Sequence, residues 1–582
     1  MTCQFDILST LRRPEAIHEA LRDLPQGLDA TYDRMLLEID PKYQKQVAST
    51  LKWLAFSLRP LRLKELAEIF ILDHESDPPF HDDDRLLQSE DVLMYLPGMV
   101  TKDEDGYNPI KIRLAHFSIK EYLMSERIRQ HRIERVRFFS TTELESHLHI
   151  AAACLSYHLQ LSQTIVATEQ DCRHFALWPY AAQAWSEHLE SAPRESWSTT
   201  LIERVLQVLT AKSRGLLNMI RIQDPDDDNH RDNNDSLDNV ISWPNWKETF
   251  DTLAPPLYYV VHDGVQLCSL LLDNGASVDE LSPKGSESAL YRAAYLGRES
   301  TVQLLLDRGA SINIRGGHYG SPLQAAAYKS HERVVQLLLD RGADINITGG
   351  EYGTAIYAAV HTNQSIARLL LNRGADPTAP GGKFGNALQA AAYLDYKSMV
   401  RLMLDRGADI NARGGFFGTA LQAAAYGNAD QSAIAGPSRD TIRFLHFLLD
   451  RGADINAYGG YFGNALQAAI AKDRYHVVKM LVSRGAELAP QEVHWNALIG
   501  GPYGERLRRF QKDSEEYLAA YEADAKLLSN GDDWTDDLVE VENAERFESR
   551  VNNWSSDANE EYDGPGGSGY EKFHLFRRSN NV

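Results

Sequence analysis

The feature that most constrains this chain is a block that returns along its second half. LLLDNGASV around Gly275 and LLLDRGASIN around Gly309 recur, with small changes, around Gly342, Gly374, Gly407, Gly452 and Gly485. The glycines lie 34, 33, 32, 33, 45 and 33 residues apart. A second block precedes five of them: GSPLQAAAY from Gly320, GTAIYAAVH from Gly353, GNALQAAAY from Gly385, GTALQAAAY from Gly418 and GNALQAAIA from Gly463. Each unit is too short to bury its own apolar face, so the units must stack on one another. We count about seven repeats, over roughly residues 252–492.

A period near 33 with two short helical patterns resembles the ankyrin repeat. The alanines of Ala-Leu-Gln-Ala-Ala suit a short inner helix that stacks closely, and Leu-Leu-Leu is the buried face of an outer helix. The Gly of Arg-Gly-Ala ends that helix in a left-handed conformation. Asp-Ile-Asn leads into a turn. The Gly-Gly pairs 316–317, 349–350, 381–382, 414–415 and 459–460 suit hairpin tips. Where the family usually carries Thr-Pro-Leu-His, most copies here read Asn/Thr-Ala-Leu-Gln. Gln324, Gln389, Gln422 and Gln467 stand in the histidine's place and are expected to hydrogen-bond backbone within the stack. The 45-residue spacing marks an insertion over 427–438, between the two helices of one repeat, where it projects as a loop.

A solenoid of this kind offers an extended concave face, and a protein partner is expected in that groove. At the tips the pattern is Gly-Gly-x-Tyr/Phe-Gly. The aromatic repeats at Tyr319, Tyr352, Phe384, Phe417 and Phe462, which suggests hairpin-on-hairpin packing. The preceding residue varies, as His318, Glu351, Lys383, Phe416 and Tyr461, and is expected to face a partner. The inner helices end in Tyr295, Tyr328, His361, Tyr393 and Tyr426. Tyrosines spaced along a groove make good anchors, since they carry large area on few rotors.

The N-terminal third reads as a separate unit. LRDLPQGLDATYDRMLLEI, YQKQVASTLKWLAFSLRPL and LRLKELAEIFIL are amphipathic helical segments. A turn-rich tip over 100–106 and the alternation of Ile110, Ile112 and Leu114 predict a hairpin. Ser118 and Glu121 form a capping-box pattern opening SIKEYLMSERI. The expected fold is therefore mainly α: a winged-helix-like unit over 1–135, a helical connector over 136–220 and an acidic linker over 221–251. The ankyrin solenoid with short β-hairpins follows, then a helical cap over 493–527 and an acidic, turn-rich, disordered tail over 528–582.

ALRDLPQGLDATYDRMLLEI, LRLKELAEIF and IRLAHFSIKEYL resemble the winged-helix segment of fungal NACHT-type STAND proteins. CLSYHL and WPYAAQAWSEHL resemble the helical region that follows it, so the resemblance covers roughly residues 1–200. It implies signalling or non-self recognition, with a NACHT-type ATPase core as partner in cis or in trans. It also implies a nucleotide-sensing role for His116, although Phe117 replaces the usual aspartate after it. The ATPase core itself has no counterpart here. The sole Gly-Lys pair, Gly382-Lys383, is followed by Phe384 and makes no phosphate-binding loop. On this resemblance, the chain is expected to begin where that core would have ended.

Other chemistries lack their residues. There is no G-x-S-x-G, no H-E-x-x-H and no Cys-x-x-Cys, and Asp224 to Asp235 misses the glycine and glutamate of a calcium loop. No enzyme activity, metal or cofactor is expected. A net charge of −22 argues against nucleic acid. The candidate recognition helix, Leu61 to Phe70, mixes Arg62 and Lys64 with Glu65 and Glu68, so winged-helix DNA binding is a weaker alternative. No apolar run of membrane-spanning length occurs. Four scattered cysteines (Cys3, Cys154, Cys172, Cys268) suit a reduced, cytoplasmic or nuclear setting. The expected function is a protein–protein interaction scaffold or sensor arm, with an adaptor for a larger complex as the alternative.

Overall fold

The computed structural model describes residues 27–103, 110–222, 249–283, 285–382, 385–427, 439–472 and 474–487. The expected cap and tail, Lys383, Phe384, the core of the insertion and nearly all of the acidic linker lie outside them. So do the first 26 residues.

The N-terminal unit is built on helices Leu28–Glu38, Gln44–Phe56 and Leu63–Ile71 and a small antiparallel sheet. Its strands are β1 (Leu61–Arg62), β2 (Val100–Asp103) and β3 (Lys111–Leu114), in the order β1-β3-β2. Leu61 pairs with Ile112, and Thr101 with Arg113. The expected helix from Leu61 therefore starts two residues later, because Leu61 and Arg62 are taken by β3. Glu65, at the third helical position, accepts from the Arg62 amide at 2.7 Å and from the Arg59 guanidinium at 2.6 and 2.9 Å. Glu65 and Glu68 are both buried, so this helix turns its acids inward.

A second correction concerns SIKEYLMSERI. Ser118 does not cap it. The helix is Phe117–Met124, and its N-cap is His116, whose Nδ1 accepts from the Ser118 amide at 3.2 Å. The segment then breaks. Ser125 takes extended backbone, and its side chain caps a separate short helix, Glu126–Arg129.

Helices Glu143–Thr164 and Trp178–Glu190 pack face to face behind this unit, followed by Thr199–Val208 and Arg214–Ile222. Buried Glu68 ties the two regions together. Its carboxylate accepts from Arg85 Nη1 at 2.9 Å, from the Tyr157 hydroxyl, and from the amides of Ala176 and Leu177 at 3.0 Å each. His158, fully enclosed, donates from Nε2 to the Gly215 carbonyl and accepts at Nδ1 from the Trp178 indole.

Residues 256–483 form seven successive helix pairs, from Pro256–Val260 with Val265–Asp273 to Ala465–Ala471 with Tyr475–Ser483. The inner helices bury their alanines, as at Ala325, Ala326 and Ala327, so neighbouring backbones approach closely. Ser288, Ser321, Thr354, Asn386, Thr419 and Asn464 cap them, each side chain accepting from an amide three residues on. Outer helices bury an apolar stripe, such as Val334, Val335 and Leu338. Gly342, at φ 90°, ends one such helix in the left-handed region. At the tips the two flanking glycines bridge, as in Gly349 with Gly353. A Cβ on Gly353 would stand 2.3 Å from Gly381 Cα in the next tip, so the stacking distance itself demands glycine there.

Three polar ladders run along the stack. Gln324 donates to the carbonyls of Gly349 and Gly353, Gln389 to Ala412 and Gly418, and Gln422 to Ala457, Gly459 and Gly463. The Asn of Asp/Ser-Ile-Asn accepts from the next repeat's amide: Asn313 from Asp344, Asn346 from Asp376 and Asn411 from Asp454. The Arg of Asp/Asn-Arg-Gly pairs with the preceding repeat's Asp, as in Arg341–Asp307 and Arg373–Asp340, both at 2.8 Å.

The helical connector closes the front of the stack. The Glu190 carboxylate accepts from the amides of Gln266 and Leu267 at the start of Val265–Asp273. The Gln266 side chain donates back to the carbonyls of Glu190 and Ala192. Burial raises the Glu190 carboxyl above its ordinary value, although these amides oppose the shift. Arg194 and Arg308 both pair with Asp273, so the arginine ladder begins in the connector.

Candidate partner-binding groove

Along one edge of the inner helices and the hairpin tips runs a row of aromatic rings. Tyr295 stacks on Tyr319 at 5.8 Å between centroids, and Tyr319 on Tyr328 at 4.3 Å. Tyr352 follows at 4.9 Å from Tyr328, then Tyr357 and His361. Further along, Tyr393 stacks on Phe417 at 5.1 Å, and Tyr426 on Phe462 at 4.6 Å. Aromatics from inner-helix ends alternate with aromatics from tips. Each therefore braces the other, and the helix-end rings Tyr295, Tyr328, His361, Tyr393 and Tyr426 are half-buried, with part of each ring left on the surface.

The tip aromatics Phe417 and Phe462 are buried, while Tyr319 and Tyr352 are half-buried. Burial pushes the Tyr319 and Tyr352 hydroxyls up, so both stay protonated. His361 is pushed down to about 4 by burial and is neutral at ordinary pH. The ladder thus presents neutral faces and hydroxyls, with little titration to disturb it.

The variable tip residues also contact one another. His318 contacts Glu351 on the next tip, and both side chains are exposed. Phe416 stacks on Tyr461 at 4.9 Å with an interplanar angle of 16°. The backbones pair too, Glu351 N–H to the His318 carbonyl and Tyr461 N–H to that of Phe416. In these two pairs, neighbouring tips therefore meet through both side chain and backbone. Lys383 lies outside the described residues. The tip pairing went unread in the sequence, where a complementary His and Glu 33 positions apart were its only signal.

His116 sits elsewhere, exposed at the head of its helix. Its Nδ1 also lies 2.6 Å from Ser118 Oγ, which in turn meets the Tyr32 hydroxyl at 2.7 Å. Its structural work is that cap. Among the described residues, no group of three or more His, Cys, Asp or Glu could hold a metal ion. No helix among them is long and apolar enough to cross a membrane.

Family comparison agrees with this architecture. The model for ankyrin repeats in three copies matches residues 232–316 and 317–381, and the single ankyrin repeat matches 386–415. The chain carries ankyrin repeats, in a mainly helical fold. It is 31% identical over 317 residues to the Monascus ruber protein described as "Azaphilone pigments biosynthesis cluster protein L". That match takes in 52% of this chain and 63% of the relative, so the chain spans less than two thirds of the relative's length. Among solved structures, the human ASB11 ankyrin repeat domain is 23% identical with a TM-score of 0.32, covering 40% of this chain and 99% of that domain. The ankyrin repeat domain of Bcl-3 is 25% identical with a TM-score of 0.32, covering 39% of this chain and 97% of that domain.

Proposed function

We propose that this chain is a non-enzymatic protein–protein interaction scaffold whose partner lies along the aromatic ladder of the ankyrin groove. The observation that carries the reading is the row of half-buried rings from Tyr295 to Tyr426. It offers large, rigid, amphipathic area whose rotamers are already fixed by stacking, so little side-chain entropy is lost on binding. The exposed tip pairs His318 with Glu351 and Phe416 with Tyr461 form the rim of the same face. Tyr328→Ala, Tyr393→Ala and Phe416→Ala together are expected to reduce co-purification of a partner from cells without unfolding the stack, as read by circular dichroism and hydrogen exchange. Undiminished co-purification would defeat the groove assignment.

Two contexts fit the scaffold. The resemblance of the N-terminal third to STAND proteins favours a sensor arm packed on a NACHT-type ATPase. The connector supports an arm of this kind, because Glu190 and Arg194 fasten it to the first helix pair. The description of the Monascus relative favours an adaptor serving a biosynthetic pathway. Identifying the co-purified partner separates them, as an ATPase of the NACHT type or as a biosynthetic enzyme.

A further inference from the structure

The charges around the stack are not distributed as the net charge of −22 would suggest. At the ends of five outer helices an arginine pairs with the preceding repeat's aspartate, Arg308 with Asp273, Arg341 with Asp307, Arg373 with Asp340, Arg451 with Asp405 and Arg484 with Asp450, while Arg406 donates to the Leu371 carbonyl and to Asn372. At the ends of the inner helices the cations have aromatic rings and carbonyls instead. Lys329 Nζ stands 4.5 Å over the Tyr295 ring, and Lys472 Nζ stands 4.9 Å over Tyr426. Neither ammonium has a carboxylate within ion-pair distance among the described residues. Arg474 donates to the carbonyls of Ala424 and Ala425, and Arg298 lies against His262. Among the described residues the acid in this register is Asp395, which faces Lys397 at 3.4 Å.

We infer that the groove takes an acidic, extended segment of a protein partner, its carboxylates meeting Lys329 and Lys472 and its apolar side chains lying on the tyrosines between them. This inference rests on the groove reading proposed above and adds the partner's chemistry to it. The physical reason is complementarity. A cation held over an aromatic face keeps its charge and stays oriented, yet has no anion of its own, so a carboxylate arriving from a partner completes the pair. Lys329 and Lys472 bracket the ladder, one near each end, so an occupant that satisfies both must run along it. A chain with a large negative net charge repels acidic peptides at long range, so selection for them has to come from Lys329 and Lys472.

The test selects a random peptide library on the immobilised full chain, then measures the most enriched peptide, carrying a neutral dye, by fluorescence anisotropy. Enrichment of Asp and Glu is expected. Lys329→Glu with Lys472→Glu should then weaken binding about tenfold or more, and raising ionic strength should weaken it in the wild type. Both lysines are accessible, and a circular-dichroism melt confirms that the double variant is folded. A neutral or Lys/Arg-rich pool whose binding is lost in Tyr328→Ala with Tyr393→Ala overturns the acidic assignment and leaves the groove reading standing. A pool indifferent to both double variants overturns both, and so does the absence of any enriched peptide.

Discussion

Replacing Gln389 with alanine tests whether the glutamine ladder holds the stack together. The side chain is fully buried. Its Oε1 accepts from the Asn386 amide at 3.1 Å, and its Nε2 donates to the carbonyls of Ala412 at 3.1 Å and Gly418 at 2.8 Å. The Gly418 carbonyl keeps a second donor, the Gly414 amide, but the Asn386 amide and the Ala412 carbonyl lose the partner described for each. A buried polar group left unsatisfied costs about 1–3 kcal/mol, so Gln389→Ala should cost the local stack about 3 kcal/mol in all. Repeat arrays need not unfold in one step, so a single global midpoint is a poor readout. Hydrogen exchange of peptides spanning 385–427 is better. A loss of about 3 kcal/mol accelerates exchange through local opening roughly a hundredfold. Gln389→His keeps a ring N–H toward the same carbonyls and should cost less than about 1 kcal/mol. Exchange within about threefold of wild type in the alanine variant would refute the ladder's role, as would equal losses in the alanine and histidine variants.

Three further outcomes follow from buried polar groups. His158, His149 and His188 are pushed down by burial to about 4, about 3 and about 3, against about 6.5 in an unfolded chain. Below pH 6.5 the unfolded chain therefore binds protons that the folded one refuses. Stability is full above about pH 6.5 and falls as pH drops, by up to about 1.4 kcal/mol per pH unit for each histidine. Thermal melts from about pH 7 to about pH 5 should show the decline, and a flat profile would contradict it. Glu68→Ala leaves Tyr157 and two amides without this acceptor and Arg85 with Asp82 alone, and should cost about 3–5 kcal/mol in chemical denaturation, where a loss below about 1 kcal/mol would count against the hub. Glu190→Ala removes the cap of Val265–Asp273 and should cost about 1 kcal/mol, read as faster exchange confined to the first helix pair. Unchanged exchange there would remove the clamp between connector and stack.

The solenoid was legible because its signals are local and repeated. A positive-φ glycine after each Leu-Leu-Leu run and a run of alanines each have one cheap structural solution, and repetition confirms the choice. The glutamines could be read because a buried amide must find partners and the neighbouring tip supplies carbonyls. What escaped were contacts between units. Arg341 with Asp307 and Asn313 with the Asp344 amide are non-local, and only the stacking geometry brings them together. The same holds for His318 with Glu351 and for Glu190 with the head of Val265–Asp273. The Ser118 capping box failed for a different reason. The helix starts at Phe117, so its N-cap is His116, two positions before the serine, and a histidine ring nitrogen is not a usual capping signal. The β1 strand was missed because two residues carry too little pattern to reveal a pairing that Lys111 and Ile112 impose.

The central claim is that a partner lies along the aromatic ladder. The most direct measurement is hydrogen exchange of the full chain with and without its co-purified partner. The account predicts new protection in peptides that hold the tips and inner-helix ends, 316–329, 349–362 and 414–427, with the outer helices unchanged. Protection confined to the outer helices, such as Glu332–Asp340 and Lys397–Asp405, would place the partner on the opposite face and contradict it.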